Sequence, residues 1–458
     1  MESERMMQMR KNSRLARPER VMALGFLALI VLGGALLSLP CAAQNGRSIG
    51  LGNALFTATS AVCVTGLVAV DTGTTFSLFG QLVLLLLIQI GGLGFMAFAT
   101  LTMQLLGRKI GLRDRMLLRE SMNTTGLSGL VRLTRWYLLA ALVIEGGGAA
   151  LLAIRFVPLL GWGKGLYFSL FHAVSAFCNA GFDLFGHFSS LTAFQQEPLV
   201  LLTISALIVL GGTGFAVLGE VIHQRFRWRK LSLHSRLALG MSGVLLVLGM
   251  AFFCLTEWQN PATLGGISGT ADKLVNALMQ SATMRTAGFN SVELAAMRQS
   301  SKLMSVVLMF IGASPASTGG GVKTTTVAVL ALTVWSVIRG DADVQMAHRR
   351  VPPGLIRRAL AIVSISLAMA LGGTMLLTLL EGDGRSFLDM MFEAFSAMAT
   401  VGVSSVGTPN LTTGSKLVLA LMMFFGRVGP LTMASALASR QGKNRTKIRY
   451  PEEEITIG

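Results

Sequence analysis

The sequence predicts an all-α integral membrane protein in which four pseudo-repeats surround one axis, each made of a helix, a re-entrant half-helix with its loop, and a second helix. Three observations predict it: a composition too apolar for water, basic residues gathered into short segments, and two glycine markers that each recur four times. Of 458 residues, 52% are hydrophobic and only 13% charged, and the mean hydropathy is +0.63. A soluble domain carries roughly 25% charged residues, so this chain has too little charge for a water-facing surface. The 52 Gly and three Tyr suit crowded helices in lipid.

A net charge of +17 would ordinarily suggest nucleic acid as a partner. The distribution argues otherwise. Twenty-eight of the 39 basic residues fall within 1–20, 107–135, 223–236, 339–358 and 440–449, alternating with apolar stretches in the positive-inside pattern. The expected organisation is a cytoplasmic tail (1–20), pore repeat one (21–106), a linker (107–135), repeat two (136–222), a linker (223–236), repeat three with a broken second helix (237–338), a linker (339–358), repeat four (359–439) and a C-terminal tail (440–458). Each block suits two crossings plus something between them, which leaves both termini cytoplasmic.

The outward crossings are expected at 21–39, 136–156, 237–255 and 359–380. The first could be read as a signal peptide, but its 19 residues exceed a usual signal core and Pro40 stands where a lipoprotein cleavage motif needs a small residue. Each crossing is followed by a segment ending in glycine: Ser60-Ala61-Val62-Cys63-Val64-Thr65-Gly66, Ser175-Ala176-Phe177-Cys178-Asn179-Ala180-Gly181, Ser281-Ala282-Thr283-Met284-Arg285-Thr286-Ala287-Gly288 and Ser396-Ala397-Met398-Ala399-Thr400-Val401-Gly402. Three share the spacing Ser-Ala-x4-Gly and the third carries one extra residue. Successive glycines lie 115, 107 and 114 residues apart, one block plus its linker.

A second marker follows 25, 30, 24 and 24 residues later: Gly91-Gly92-Leu93-Gly94, Gly211-Gly212-Thr213-Gly214, Gly312-Ala313-Ser314 and Gly426-Arg427-Val428-Gly429. Half-helices ending near Val62, Phe177, Thr283 and Met398 then lead to returning helices over 79–103, 199–221, 302–338 and 416–438. A non-helical loop at membrane depth is costly unless it is buried in protein or lines water. Four such loops imply a central ion pore, where backbone carbonyls can replace the hydration shell of a cation and glycine permits the angles required. Thr400-Val401-Gly402 resembles the start of the potassium-channel filter, and the other three copies are degenerate. Small-residue packing between helices is the bland alternative.

From about residue 21 onward the chain resembles the Trk/Ktr/HKT superfamily of potassium transporters, most of all a KtrB-type membrane subunit. The most specific pieces are Arg285-Thr286-Ala287-Gly288-Phe289, Ala316-Ser317-Thr318-Gly319-Gly320-Gly321-Val322-Lys323-Thr324 and Gly426-Arg427-Val428-Gly429-Pro430. The resemblance implies a potassium filter made of Val64, Thr65, Gly66, Asn179, Ala180, Gly181, Thr286, Ala287, Gly288, Thr400, Val401 and Gly402. It also implies an intramembrane gate at 312–326, with Gly312, Ser317, Thr318, Gly319, Gly320, Gly321 and Lys323, and Arg427 opposite. Further implications are a homodimer with the terminal Gly458 buried between subunits, a cytosolic ring of nucleotide-binding regulatory subunits, and a multi-pass place in the plasma (inner) membrane. K+ is then the transported ion, with Na+ as activator or coupling ion, and the chain itself carries no cofactor.

The stretch at 312–326 also looks like a phosphate-binding loop, but Val322 separates the last glycine from Lys323 and no strand precedes it. Between apolar flanks it reads as a break in the returning helix, serving a binding site or gate or merely a packing kink. Arg427, twelve residues from both Ser415 and Ser439, is expected in mid-helix, where an arginine is expensive. A place in the pore, repelling cations, is weighed against a buried pairing with Glu393, Asp389 or a loop carbonyl.

Other polar residues are less telling. Cys41, Cys63, Cys178 and Cys254 show no paired spacing, and His172, His187, His223, His234 and His348 no metal-ligand spacing. Glu145, Glu220 and Glu393 are either filter supports or helix-end residues. A membrane enzyme would need convergent acids, histidines or a metal cluster at one face, and no such pattern is visible. A sodium- or proton-coupled symporter stays open as the alternative within transport.

Overall fold

The computed structural model describes residues 18–94, 97, 130–341, 343–346 and 349–429. Most of the first linker, nearly all of the N-terminal tail, the C-terminal tail with Gly458, and the ends expected for the first and fourth returning helices lie outside the described residues.

The described residues are mostly helical. Repeat one contains α1 (Pro18–Leu37), α2 (Leu51–Val62) and α3 (Leu78–Leu93); repeat two contains α4 (Leu130–Leu160), α5 (Trp162–Phe177), α6 (Pro198–Thr213) and α7 (Phe215–His223). Repeat three has α8 (Leu233–Glu257), α9 (Thr270–Thr283), α10 (Gln299–Phe310) and α11 (Thr324–Arg339); repeat four has α12 (Pro353–Glu381), α13 (Phe387–Met398) and α14 (Thr413–Val428). A two-residue hairpin, Gln345–Met346 with Arg349–Arg350, sits in the linker before α12.

Long apolar helices lead each repeat: α1, α4, α8 and α12 are long and apolar enough to cross a membrane. At 1.5 Å per residue the 25 residues of α8 extend about 37 Å, more than a hydrocarbon core of about 30 Å. Their outward faces expose Leu32, Val143, Val247 and Leu379, which water would not tolerate over so large an area and lipid does. Sharp corners follow. Gly50, Gly161 and Gly269, at φ of 83°, 83° and 99°, start the half-helices α2, α5 and α9, a conformation that costs glycine little. The returning helices open on side-chain caps, Ser77 for α3 and Thr412 for α14, each accepting a backbone N–H at 3.3 Å.

One expectation needs correction. Sequence hydropathy runs through the second marker, so three returning helices read as continuous, yet α3 stops at Leu93, α6 at Thr213 and α14 at Val428. The cause is the last glycine of each marker: Gly94, Gly214 and Gly429 have φ of 87°, 96° and 92°. Only in repeat two is the continuation described, where α7 leaves α6 at 97°. Arg427 therefore lies in the last turn of α14 rather than in mid-helix.

Candidate ion-filter site

The half-helices α2, α5, α9 and α13 end at Val62, Phe177, Thr283 and Met398, and their loops share one backbone pattern. A residue of positive φ comes first (Val64 55°, Asn179 58°, Thr286 74°, Thr400 54°), and two positions on comes a glycine of positive φ (Gly66 99°, Gly181 70°, Gly288 84°, Gly402 95°). The extra residue of repeat three is absorbed at Arg285, before the shared pattern begins. All twelve residues of these triplets are buried.

The loops meet. A Cβ placed on Gly66 would lie 2.6 Å from the Ala180 carbonyl oxygen, one on Gly181 2.8 Å from that of Ala287, one on Gly288 2.9 Å from that of Val401, and one on Gly402 1.8 Å from that of Thr65. The four glycines thus close a ring, and the carbonyl oxygens of the four middle residues stand around it. None of these four oxygens accepts a hydrogen bond from a described residue. The buried hydroxyls of Thr65 and Thr400 also have no partner among the described residues. Buried carbonyls and hydroxyls normally find donors, so a ring of oxygens without donors among the described residues has the chemistry to accept a cation.

The serine of the first marker explains its own recurrence. In repeat one the Gly66 N–H donates to Ser60 Oγ at 3.0 Å; in repeat four the Gly402 N–H donates to Ser396 Oγ at 3.1 Å, and that hydroxyl donates to the Val403 carbonyl at 2.7 Å. In repeat two Ser175 Oγ donates to the Phe182 carbonyl at 2.8 Å. Repeat three differs, as its spacing does. Ser281 Oγ donates to the Leu246 carbonyl of α8 at 2.8 Å, and its loop is held instead by the buried Arg285, donating to the Ser242 carbonyl at 3.2 Å and Ser242 Oγ at 3.0 Å.

The second marker serves close approach and then a shared junction. A Cβ on Gly91, Gly211 or Gly426 would fall within 2.2 Å of the carbonyl of Val62, Phe177 or Met398, the end of its own repeat's half-helix. In repeat three the equivalent Gly312 packs on the Gly320 carbonyl, at 2.3 Å from a built Cβ, because a loop of its own intervenes between α10 and α11. That loop lies beside the glycine ring: a Cβ on Gly319 would meet Thr286 Oγ1 at 2.0 Å, and one on Gly320 would meet Thr400 Oγ1 at 2.2 Å.

All four second markers converge on this loop. The Ser314 N–H donates to the Gly212 carbonyl at 3.0 Å and the Thr318 N–H to the Gly211 carbonyl at 3.2 Å. Thr318 Oγ1 donates to the Phe177 carbonyl at 3.1 Å. Ser317 Oγ donates within the loop to the Ser314 carbonyl at 2.6 Å, and Lys323 Nζ to the Gly319 carbonyl at 2.6 Å. From repeat four, the Arg427 guanidinium donates to the Thr318 carbonyl and to those of Gly91 and Gly92. The latter two belong to the last turn of α3, whose carbonyls lack helical partners and carry partial negative charge. Arg427 therefore joins repeats one, three and four at one point. Of the buried pairings weighed for it, the loop carbonyl is found; Glu393 and Asp389 are occupied elsewhere.

Those two acids are what sequence reasoning assigned least well. Glu393, fully buried on α13, accepts from Ser404 Oγ at 2.6 Å and the Ser405 N–H at 2.9 Å, bracing the chain just beyond Gly402. Asp389, one turn earlier, accepts from Ser405 Oγ at 2.9 Å and from Lys302 Nζ at 2.8 Å. The signal was the helical spacing from Asp389 through Glu393 to Ser396, which puts both acids along the half-helix that aims at Gly402. Glu145 accepts from Gln89 Nε2 at 2.9 Å and links α3 to α4. Glu220 is a helix-end residue, accepting from Ser232 Oγ at 2.7 Å and from Ser235 Oγ at the start of α8. His172 ties α5 to the post-filter loop through the Phe168 carbonyl, 2.7 Å from Nδ1, and the Leu184 N–H, 3.3 Å from Nε2.

Comparison with known proteins agrees with this architecture. The TrkH family model, described as a cation transport protein, matches residues 29–447. The chain is 42% identical to Ktr system potassium uptake protein B of Bacillus subtilis, covering 96% of this chain and 97% of that one. It is 38% identical to the potassium/sodium uptake protein NtpJ of Enterococcus hirae, covering 99% of each. In structure it is similar to the potassium transporter TrkH of Vibrio parahaemolyticus, with a TM-score of 0.69 over 90% of this chain and 84% of that one at 18% identity, a likeness of fold. A multi-pass helical membrane chain whose match to the family model spans all four glycine loops belongs to the TrkH family of cation transport proteins.

Proposed function

We propose that this chain is the membrane subunit of a potassium uptake system, and that potassium passes through the ring formed by Val64, Thr65, Gly66, Asn179, Ala180, Gly181, Thr286, Ala287, Gly288, Thr400, Val401 and Gly402. One observation carries the reading: four carbonyl oxygens, of Thr65, Ala180, Ala287 and Val401, stand around one ring of glycines without a hydrogen-bond donor among the described residues. Rings of backbone carbonyls replace the hydration shell of a potassium ion. The printed names of the Bacillus and Enterococcus relatives, both potassium uptake proteins, support the choice of ion.

Below this filter, residues 312–326 act as the gate and Arg427 as its latch, an assignment supported by the packing of Gly319 and Gly320 on Thr286 and Thr400. The four repeats form one pore, with the basic segments and both termini in the cytoplasm and the protein in the plasma membrane, as the positive-inside pattern favours. A cytosolic nucleotide-binding subunit controls it, supported by the Bacillus relative being named as a component of a Ktr system. The protomers pair as a homodimer with Gly458 at the interface. Potassium is cargo; the chain holds no cofactor. A second reading is sodium-coupled uptake, which the printed name of the Enterococcus relative favours.

The test is reconstitution of the purified chain in liposomes, with potassium flux measured with and without sodium. Potassium flux independent of sodium supports the first reading, flux that requires sodium the second, and the absence of cation flux in both conditions contradicts both.

A further inference from the structure

We propose that residues 222–230, the turn between α7 and α8, bind the headgroups of anionic phospholipids at the membrane face that carries the basic segments. The position comes first. Phe215 stacks on Tyr137 with ring centroids 4.5 Å apart, and a Cβ on Gly219 would lie 3.2 Å from the Trp136 ring. Glu220 binds Ser232 and Ser235 at the start of α8. The helix α7 thus runs from the basic end of the spanning helix α4 to the beginning of the spanning helix α8, at 97° to α6. That is the level at which a bilayer's hydrocarbon gives way to its headgroups.

Arg225-Phe226-Arg227-Trp228-Arg229-Lys230 interleaves four cations with two aromatic rings, and all six residues are exposed; Phe226 is 79% and Trp228 52% accessible, beside Ile222 at 55%. Glu220 is the sole acid in residues 198–256, and its carboxylate is already engaged with Ser232 and Ser235. The four positive charges therefore have no internal counter-charge within that stretch. The turn is held in shape by Arg225 and Phe226 at φ of 49° and 61°, with the Phe226 N–H donating to the Val221 carbonyl at 3.0 Å. Aromatic rings that straddle the interface beside cations that meet phosphate are the recognition pattern of anionic lipid surfaces. An acidic protein face would use the cations and leave Phe226, Trp228 and Ile222 unexplained.

The full chain is equilibrated in equal amounts of phosphatidylglycerol and phosphatidylcholine, and the retained lipids are counted by native mass spectrometry. The wild type is expected to favour phosphatidylglycerol by about fivefold, falling below about twofold in Arg225→Gln/Arg227→Gln/Arg229→Gln/Lys230→Gln. Phe226→Ala/Trp228→Ala should retain less of both lipids and keep the headgroup preference. Arg349→Gln/Arg350→Gln/Arg357→Gln/Arg358→Gln removes four exposed charges elsewhere, one of them paired with Asp343, and should leave the preference intact. If the fourfold 225–230 variant does not elute as folded protein, Arg225→Gln/Arg227→Gln decides on the same readout, with an intermediate preference expected. An unchanged preference in the 225–230 variants, an equal loss in the 349–358 control, or no preference in the wild type overturns the proposal; the last outcome assigns the turn to an acidic protein partner.

Discussion

Repeat three departs from the other three at both of its markers, and the departures belong together. In repeats one, two and four a glycine of the returning helix packs directly on the last carbonyl of the half-helix, and in each the marker serine hydrogen-bonds the filter loop or the chain just past it. In repeat three the glycine packs on a loop of its own, and Ser281 turns away to α8. Three repeats are thus bracketed by direct backbone contact. The third exchanges that direct contact for an eleven-residue loop between Ile311 and Lys323, packed against Thr286 and Thr400 of the ring. The loop of repeat three is held to its surroundings by discrete hydrogen bonds at Ser314, Ala316 and Thr318, the last also bonded to Arg427, and not by a continuous helix, which is the arrangement that the proposed gate requires.

The largest effect should come from the brackets. Gly402 has φ of 95°, and any side chain there begins 1.8 Å from the Thr65 carbonyl, so Gly402→Asp should abolish potassium uptake by adding both a clash and a charge. At Gly66, φ 99°, the overlap is smaller but still forces the loop to shift, a Cβ lying 2.6 Å from the Ala180 carbonyl, and Gly66→Ser should relax potassium-over-sodium selection by displacing that carbonyl. Undiminished, fully selective flux in both variants would falsify the filter assignment.

Deleting residues 319–321 removes the part of the loop that abuts Thr286 and Thr400. Flux in liposomes should rise severalfold while ion preference stays, because selection occurs in the ring. A loss of selectivity without a gain in flux would place the loop within the filter instead.

Arg427 sharpens the comparison by separating charge from anchorage. Arg427→Gln loses both the positive charge and the fork to the Thr318, Gly91 and Gly92 carbonyls, and should raise transport capacity by tenfold or more, since repulsion of a cation at 4 Å amounts to about 4 kcal/mol at an effective dielectric of 20, an upper bound of about a thousandfold. Arg427→Lys keeps the charge without the planar fork. An intermediate rise assigns part of the latch to geometry, whereas no rise in either variant removes Arg427 from the ion path.

The smaller effects concern the serines. Ser396→Ala removes a hydroxyl that both accepts from Gly402 and donates to Val403, a loss of about 1 kcal/mol per hydrogen bond. Potassium affinity by titration calorimetry should weaken about fivefold for each kcal/mol lost. Ser281→Ala, whose bond goes to α8, should change it less than twofold. Equal effects would mean that the third loop is braced like the others.

Much of this was legible in the sequence because it is periodic. Four Ser-Ala motifs, each followed at near-constant offset by a second glycine marker, placed the half-helix ends at Val62, Phe177, Thr283 and Met398, and the extra residue near Arg285 marked the repeat that deviates. The breaks at Gly94, Gly214 and Gly429 were missed because hydropathy continues through them; what ends the helix is a positive φ, which composition does not encode. Arg427 read as mid-helix for the same reason. The partners of Asp389 and Glu393 were missed because Lys302 lies 87 residues from Asp389, and Ser404 and Ser405 lie beyond the loop, where helical spacing no longer links them.

The central claim is tested most directly by crystals of the protein grown or soaked in rubidium, an anomalous scatterer that stands in for potassium. The account predicts an anomalous peak on the axis of the ring, within coordination distance of the Thr65, Ala180, Ala287 and Val401 carbonyl oxygens and lost in Gly402→Asp. Rubidium bound elsewhere with the ring empty, or a peak that persists undiminished in that variant, would contradict it.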